Sequence, residues 1–297
     1  MTEEKLSVGF IGLGIMGQHM AGHILAAGHP LNIYNRTRAK GDALVAKGAT
    51  WCDSPGAVAE ASDITITIVG YPADVEQVYL GEEGIIGKAR PGSVLIDMTT
   101  SSPALAGKIA QAALARGLSA LDAPVSGGDV GAKAGKLAIM LGGDARAFER
   151  VLPVLELMGG NIALMGKAGA GQHTKMANQI AIASTMLAVA ESISYARAAG
   201  LDPMQVLKVI GTGAASSFLL NGLGPKMVDE DFAPGFFVHH FVKDMSIALS
   251  EAERLGLDLP GLSLARSLYG KLVDDGFGEE GTQALYRAYN AIHAEAG

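Results

Sequence analysis

A short apolar run, Leu6 to Ile11, leads straight into Gly12-Leu13-Gly14-Ile15-Met16-Gly17. Gln18 to Ala27 then reads as a helix closed by Gly28. Strand, Gly-x-Gly-x-x-Gly and helix in this order form a βαβ start shaped to meet a dinucleotide, which narrows the possible folds more than any other stretch. Gly12 permits the tight turn, Gly14 lets backbone approach a pyrophosphate, and Gly17 lets helix and strand pack closely. The helix N-terminus presents N–H groups to the phosphates. Leu13, Ile15 and Met16 complete the candidate cofactor loop.

The next strand, Leu31 to Tyr34, ends in Asn35-Arg36-Thr37. Sites that grip a ribose 2′-hydroxyl place Asp or Glu here, and a carboxylate repels a 2′-phosphate. Arg36 can pair with that phosphate and stack on adenine, so NADP(H) is expected, with NAD possible. Strand and helix signals then alternate. Strands are expected at Asp63–Val69, Ser93–Ile96, Leu118–Leu121, Leu137–Leu141 and Asn161–Met165, and helices at Ala73–Tyr79, Pro103–Arg116 and Ala145–Met158. That rhythm implies an α/β, doubly wound parallel sheet of Rossmann type, with ligands beyond the carboxyl ends of its strands. The loops after the strands are therefore the informative ones, including Val69-Gly70-Tyr71 and Thr99-Thr100-Ser101.

Asp122-Ala-Pro-Val-Ser126-Gly127-Gly128 offers consecutive backbone N–H groups and a hydroxyl, a combination suited to a carboxylate; a turn chosen only for shape is the plainer reading. No histidine lies in a motif that would activate Ser126 as a nucleophile.

Beyond Gly166 strand signals stop. Met176 to Ala199 lacks Gly and Pro and is apolar nearly all round, so it is expected as one long helix buried on several sides. Lys175, Asn178 and Gln179 share one face of it by their spacing. Further helices are expected at Met204–Thr212, around Phe241–Leu255, and at Leu262–Asp275 and Thr282–Ala294. The domains are thus 1–166, binding the nucleotide, and 167–297, all-helical. Such an apolar helix in so small a bundle predicts a homodimer or homotetramer packed through the helical domain. Ser216 to Asn221 and the aromatic stretch Phe236 to Asp244 are candidates to shape a substrate pocket, although core packing explains most of the aromatics.

With 297 residues, 49% hydrophobic, and a net charge of -7, the chain has enough material for roughly two domains and lacks the basic surface that nucleic acid requires. The lone Cys52 excludes an internal disulfide framework and fits a reducing cytoplasm. The opening residues, Met1 to Lys5, are charged, and neither a signal peptide nor an apolar run of about 18 residues is expected, hence no membrane. The seven histidines show no metal-ligand spacing, so no metal is expected.

Taken together, Gly12 to Gly17, Asp122 to Gly128, Gly169-x-Gly-x-x-x-Lys175 and Lys243-Asp244 resemble the β-hydroxyacid dehydrogenases over nearly the whole chain. The resemblance implies Lys175 as general acid/base, Ser126, Gly127 and Gly128 around the substrate carboxylate, Thr100 at nicotinamide and substrate, and Lys243 on the cofactor. It implies as substrates short β-hydroxy acids or their semialdehydes: glyoxylate, succinic, tartronate or methylmalonate semialdehyde. Several members carry Asn four residues after the lysine; here Gln179 stands there and Asn178 precedes it, so either amide can be the substrate ligand. An apolar setting, the helix N-terminus and a cationic nicotinamide all disfavour a charged Lys175, which suits a general base. Three alternatives remain beside this one. They are an NAD-dependent 3-hydroxyisobutyrate dehydrogenase, an oxidative decarboxylase of the 6-phosphogluconate type, and a non-catalytic NADP-binding module. Imine reductases usually replace the lysine.

Overall fold

The structure, a computed structural model, describes residues 5–295, with side chains as far as 290. The charged opening, 1–4, lies outside the described residues. The chain divides into two compact units, one ending at Lys175 and the other starting at Met176.

The first unit is built on nine strands: β1 (Val8–Ile11), β2 (Leu31–Tyr34), β3 (Thr50–Trp51), β4 (Ile64–Thr67), β5 (Val94–Asp97), β6 (Ser119–Asp122), β7 (Val125–Ser126), β8 (Leu137–Gly142) and β9 (Gly159–Gly166). They lie in the order β3-β2-β1-β4-β5-β6-β8-β7, with β9 paired to β8. β1, β4 and β5 are buried at every position, as expected for a sheet covered on both faces. Alternation divides their side chains between two cores. Val8, Phe10, Ile64, Ile66, Val94 and Ile96 face one, while Ile11 and Leu95 face the other with Val58 and Tyr79.

The sheet departs from the all-parallel expectation at one end. β3 through β6 are parallel, but β8 runs antiparallel to both β6 and β7, and only β9 is parallel to β8. The reason lies in the connections. Gly127 and Gly128 turn the chain with φ of 130° and 63°, and only the short helix Gly128–Ala134 separates β7 from β8. A parallel partner needs a longer crossover. Ala145–Leu155 supplies one between β8 and β9.

The long helix spans Ala170–Ala198, beginning six residues before the expected Met176. Gly169 and Gly171 look like helix breakers in sequence. In the fold, Asp122 at the end of β6 caps the helix: its carboxylate accepts from Gly169 N at 2.7 Å and Gln172 N at 2.8 Å. Gly171 is required by close packing, since a Cβ there would sit 2.3 Å from the Met140 carbonyl oxygen.

The second unit is all-helical: the rest of the long helix, then Pro203–Ile210, Phe218–Val228, Val238–Arg254, Pro260–Asp274 and Leu285–Glu295. Its core joins Met186, Val189 and Ile193 of the long helix to Phe241, Met245, Leu262 and Tyr269. The long helix is buried on several sides, while Ala177, Ala181, Ser184 and Ala188 form an exposed stripe that ends at Tyr195, 76% exposed. The stretch Ser216–Asn221 contributes Leu220 and Asn221 to a pocket lined also by Met204, Leu207 and Pro225. It starts a helix capped by Ser217, whose Oγ accepts from Leu220 N at 2.9 Å, and this throws Phe218 outward to 81% exposure. Gly222, Gly224 and Pro225 mask that helix in sequence. Among the described residues no helix is long and apolar enough to cross a membrane.

Candidate functional site

The glycine loop has the unequal crowding that its motif demands. Gly12 has φ 101°, and a Cβ there would lie 2.0 Å from the Ile68 carbonyl oxygen; at Gly17 it would lie 2.0 Å from the Gly12 carbonyl oxygen. At Gly14 the same position meets nothing within 4 Å. The first and third glycines are thus fixed by the protein's own packing, and the second is exposed backbone with open space beside it. That is the cradle a pyrophosphate would fill, and the residues fit a dinucleotide.

Three strand-end loops stand around this cradle. Asn35 is tied to the glycine loop, because its Oδ1 accepts from Leu13 N at 2.9 Å while its Nδ2 donates to the Thr37 carbonyl at 3.0 Å. Arg36 and Thr37 are exposed, and Arg36 pairs with Asp74 at 3.1 Å, its side chain 80% exposed. Asp74 also accepts from Tyr71 N at 3.1 Å, opening the helix Pro72–Leu80. Val69 N donates to Thr99 Oγ1 at 2.9 Å, which joins the loop after β4 to the one after β5. Gly70 is partly buried and Tyr71 exposed.

Two buried carboxylates sit side by side at the ends of β5 and β6, Asp97 opposite Asp122 in register. Asp97 accepts from Thr67 Oγ1 at 2.9 Å and Thr99 N at 3.0 Å. Burial nevertheless pushes its carboxyl up to about 6, with the Asp122 charge adding to the rise. Burial also raises Asp122, against the pull of the backbone N–H groups it caps. Sequence reading passed over both as chemical groups. Their signal is an Asp at the carboxyl end of an apolar strand.

Lys175 stands at the end of this construction. It is 6% exposed, and its Nζ donates to the Val125 carbonyl at 2.8 Å, beside Ser126. Ser126 and Gly128 are partly buried and Gly127 is exposed, and both glycines have positive φ, a turn of the kind that can offer successive N–H groups to an anion. Thr100 is partly buried between the buried Thr99 and Ser101. A further group missed in sequence, Gln172, lies three residues before Lys175 and is fully buried.

In the second unit, Gln179, Asn178, Asp244 and Lys243 form one chain of contacts. Asn178 Nδ2 donates to Gln179 Oε1 at 2.7 Å, Gln179 Nε2 donates to Asp244 Oδ2 at 2.6 Å, and Lys243 pairs with Asp244 at 3.0 Å. Gln179 and Asp244 are each 1% exposed, whereas Asn178 is only partly buried. One turn before this pair, burial holds the His240 imidazole down to about 4, aided by His239 and Lys243. Most of the surrounding aromatics pack as core, with Phe241 edge-on to Tyr269 at 5.1 Å. Among the described residues no group of three His, Cys, Asp or Glu is placed to hold a metal ion.

Comparison with known proteins agrees with this geometry. Residues 7–166 match the model of the NAD-binding domain of 6-phosphogluconate dehydrogenase. Residues 169–289 match the model described as NAD-binding of NADP-dependent 3-hydroxyisobutyrate dehydrogenase. The chain is 55% identical to YkwC, an uncharacterized oxidoreductase of Bacillus subtilis (strain 168), over 96% of this chain and 99% of that one. It is 48% identical to the probable 3-hydroxyisobutyrate dehydrogenase-like 1 of Arabidopsis thaliana, covering 99% of this chain and 88% of the relative. The solved 3-hydroxyisobutyrate dehydrogenase of Mycobacterium tuberculosis with L-serine superposes at TM-score 0.88 and 30% identity, covering 96% of this chain and 99% of that one. With the glycine cradle, the buried lysine and these matches in hand, the chain belongs to the β-hydroxyacid dehydrogenases, a family of nicotinamide-nucleotide-dependent oxidoreductases.

Proposed function

We propose that the protein interconverts a short β-hydroxy acid and its semialdehyde, using NADP(H), with Lys175 as general acid/base. The observation that carries this reading is the buried Lys175, held at 2.8 Å on the Val125 carbonyl next to Ser126. An anchored ammonium thus adjoins a turn suited to a carboxylate. When bound, the nucleotide supplies or accepts the hydride. In the reducing direction Lys175 gives a proton to the carbonyl oxygen as the alcohol forms, and in the oxidising direction neutral Lys175 takes the proton back. The Ser126 hydroxyl and the N–H groups of Gly127 and Gly128 hold the substrate carboxylate, and this orients the carbonyl toward the lysine. Asn178 is the better candidate for the substrate amide, because it is partly buried whereas Gln179 is 1% exposed.

NADP over NAD is supported by Asn35-Arg36-Thr37, which places no carboxylate at the end of β2. The Arg36–Asp74 pair is largely exposed, so exchanging Asp74 for a phosphate costs little. Glyoxylate and the succinic, tartronate and methylmalonate semialdehydes all present a carboxylate near a carbonyl. The test is a panel of these four run with NADPH and NADH in parallel. Turnover of at least one, with kcat/KM for NADPH about tenfold or more above NADH, is expected from the loss of a charge-assisted pair. Preference for NADH would refute the Arg36 assignment. Tight NADPH binding without turnover would favour a non-catalytic module. The exposed small-residue stripe of the long helix supports a homo-oligomer, and light scattering on the eluting protein reports its size.

A further inference from the structure

We propose that Gln172 is a positioning residue that fixes the backbone of Thr100 against the helix carrying Lys175. The inference rests on the roles given above to Thr100 and Lys175. It goes beyond them by naming the group that sets their mutual geometry.

Gln172 Nε2 donates to the Thr99 carbonyl at 2.8 Å, and Gln172 Oε1 accepts from Ser101 N at 2.9 Å. The Thr99 carbonyl belongs to the peptide before Thr100 and Ser101 N to the peptide after it. One side-chain amide therefore holds both planar units that flank Thr100, and with them its φ and ψ. The partners also fix which way the amide points, because a carbonyl can only accept and an N–H can only donate.

The other end of Gln172 is equally constrained. Its backbone N–H donates to Asp122 Oδ2 at 2.8 Å, and its side chain is fully buried. Three residues on, Lys175 lies on the same face of the helix. Thr99 is braced from the far side by Asp97 and by Val69 N. A shift of the helix therefore moves the Thr100 loop with it, and the lysine cannot drift relative to that loop while both amide bonds hold. The amide itself reaches neither reacting atom, so its effect is on geometry alone.

Two variants test this. Gln172→Leu keeps the bulk and removes both hydrogen bonds. Gln172→Glu can reproduce both only when protonated, since a carboxylate would repel the Thr99 carbonyl. In the ligand-free protein, Gln172→Leu is expected to speed hydrogen exchange at Ser101 N by about tenfold or more. With substrate its kcat is expected to fall roughly 10–100-fold, while nucleotide Kd stays within about threefold. For Gln172→Glu, the ratio of its kcat to that of the parent should rise as pH falls, over a range where circular dichroism shows both folded.

A Leu variant with kcat within about threefold of the parent overturns the proposal, even if Ser101 exchange quickens. If that variant does not fold, a flat Glu-to-parent ratio across pH overturns it instead. A parent inactive on the whole panel refutes the function. Gln172 is then judged on Ser101 exchange and on the emission of bound NADPH, and unchanged values of both overturn the proposal too.

Discussion

The polar groups around Asp122 and those around Asp244 are held in different ways. In the sheet unit, Asp97, Asp122, Thr99 and Gln172 end mainly on backbone N–H and C=O groups at strand ends and at the start of the long helix, with the Thr67 hydroxyl a further donor to Asp97. In the helical unit, Asn178, Gln179, Asp244 and Lys243 end on one another's side chains. Backbone positions follow from the fold, so the first kind is rigid. Side-chain chains depend on particular rotamers on different helices, so each link relies on its neighbour. The first arrangement suits groups whose placement must not vary. The second suits tuning by substitution.

Changes at the two kinds of site should therefore differ in kind and size. The largest effect is expected from Lys175→Ala, which removes the proposed proton donor and not the cradle. Steady-state kinetics should show kcat lower by roughly 10²–10⁴-fold, with NADPH binding retained. Near-normal turnover would sink the assignment.

Next come two changes within one motif. Gly12→Ala places a Cβ 2.0 Å from the Ile68 carbonyl oxygen at φ 101°, so a loss of about 3 kcal/mol or more in denaturant unfolding is expected. Gly14→Ala meets open space and should leave stability within about 1 kcal/mol while weakening nucleotide binding by titration. Equal destabilisation by the two would contradict the division of labour between the glycines.

The Asp97 carboxyl tests the backbone-anchored site by pH. Its folded value, about 6, lies above the ordinary aspartate value of 3.8. The native state therefore holds the proton more tightly, and the stability linked to it is full below about 4 and lost as pH rises through about 6. The difference corresponds to about 3 kcal/mol, and Asp97→Asn should flatten unfolding free energy against pH over that window. A parent profile that rises from pH 4 to 6, with the variant parallel to it, would show the carboxyl is ionised throughout.

The smallest effect is expected in the side-chain chain. Gln179→Leu deprives Asp244 of one donor while Lys243 remains paired with it, so a loss of about 1–3 kcal/mol is expected by thermal unfolding. A neutral result would mean the two units tolerate such losses alike.

Much of the first unit was legible in sequence because its signals are local. β2 was expected at its observed bounds, and the Gly12 turn follows from residues adjacent in the chain. The start of the long helix was not legible, because its cap is Asp122, some fifty residues earlier, and Gly171 looks like a breaker until the Met140 backbone packs against it. The helix at Phe218–Val228 was hidden for the same reason, by Gly and Pro whose local preference the bundle overrides. The turning of β8 against β6 was missed because hydrophobic alternation gives a strand its faces but not its direction.

Sequence alone determined the class of each unit, the glycine cradle and the prominence of Lys175, since each depends on periodicity or on spacing within a few residues. Tertiary structure decided what holds that lysine in place. Asp122 caps its helix, Val125 accepts from its ammonium, and Gln172 ties the Thr100 loop to the same helix face. Asp122, Val125 and the Thr100 loop lie tens of residues before the lysine's helix, and only burial reveals these pairings, because a polar group removed from water must find its partner wherever the fold supplies one.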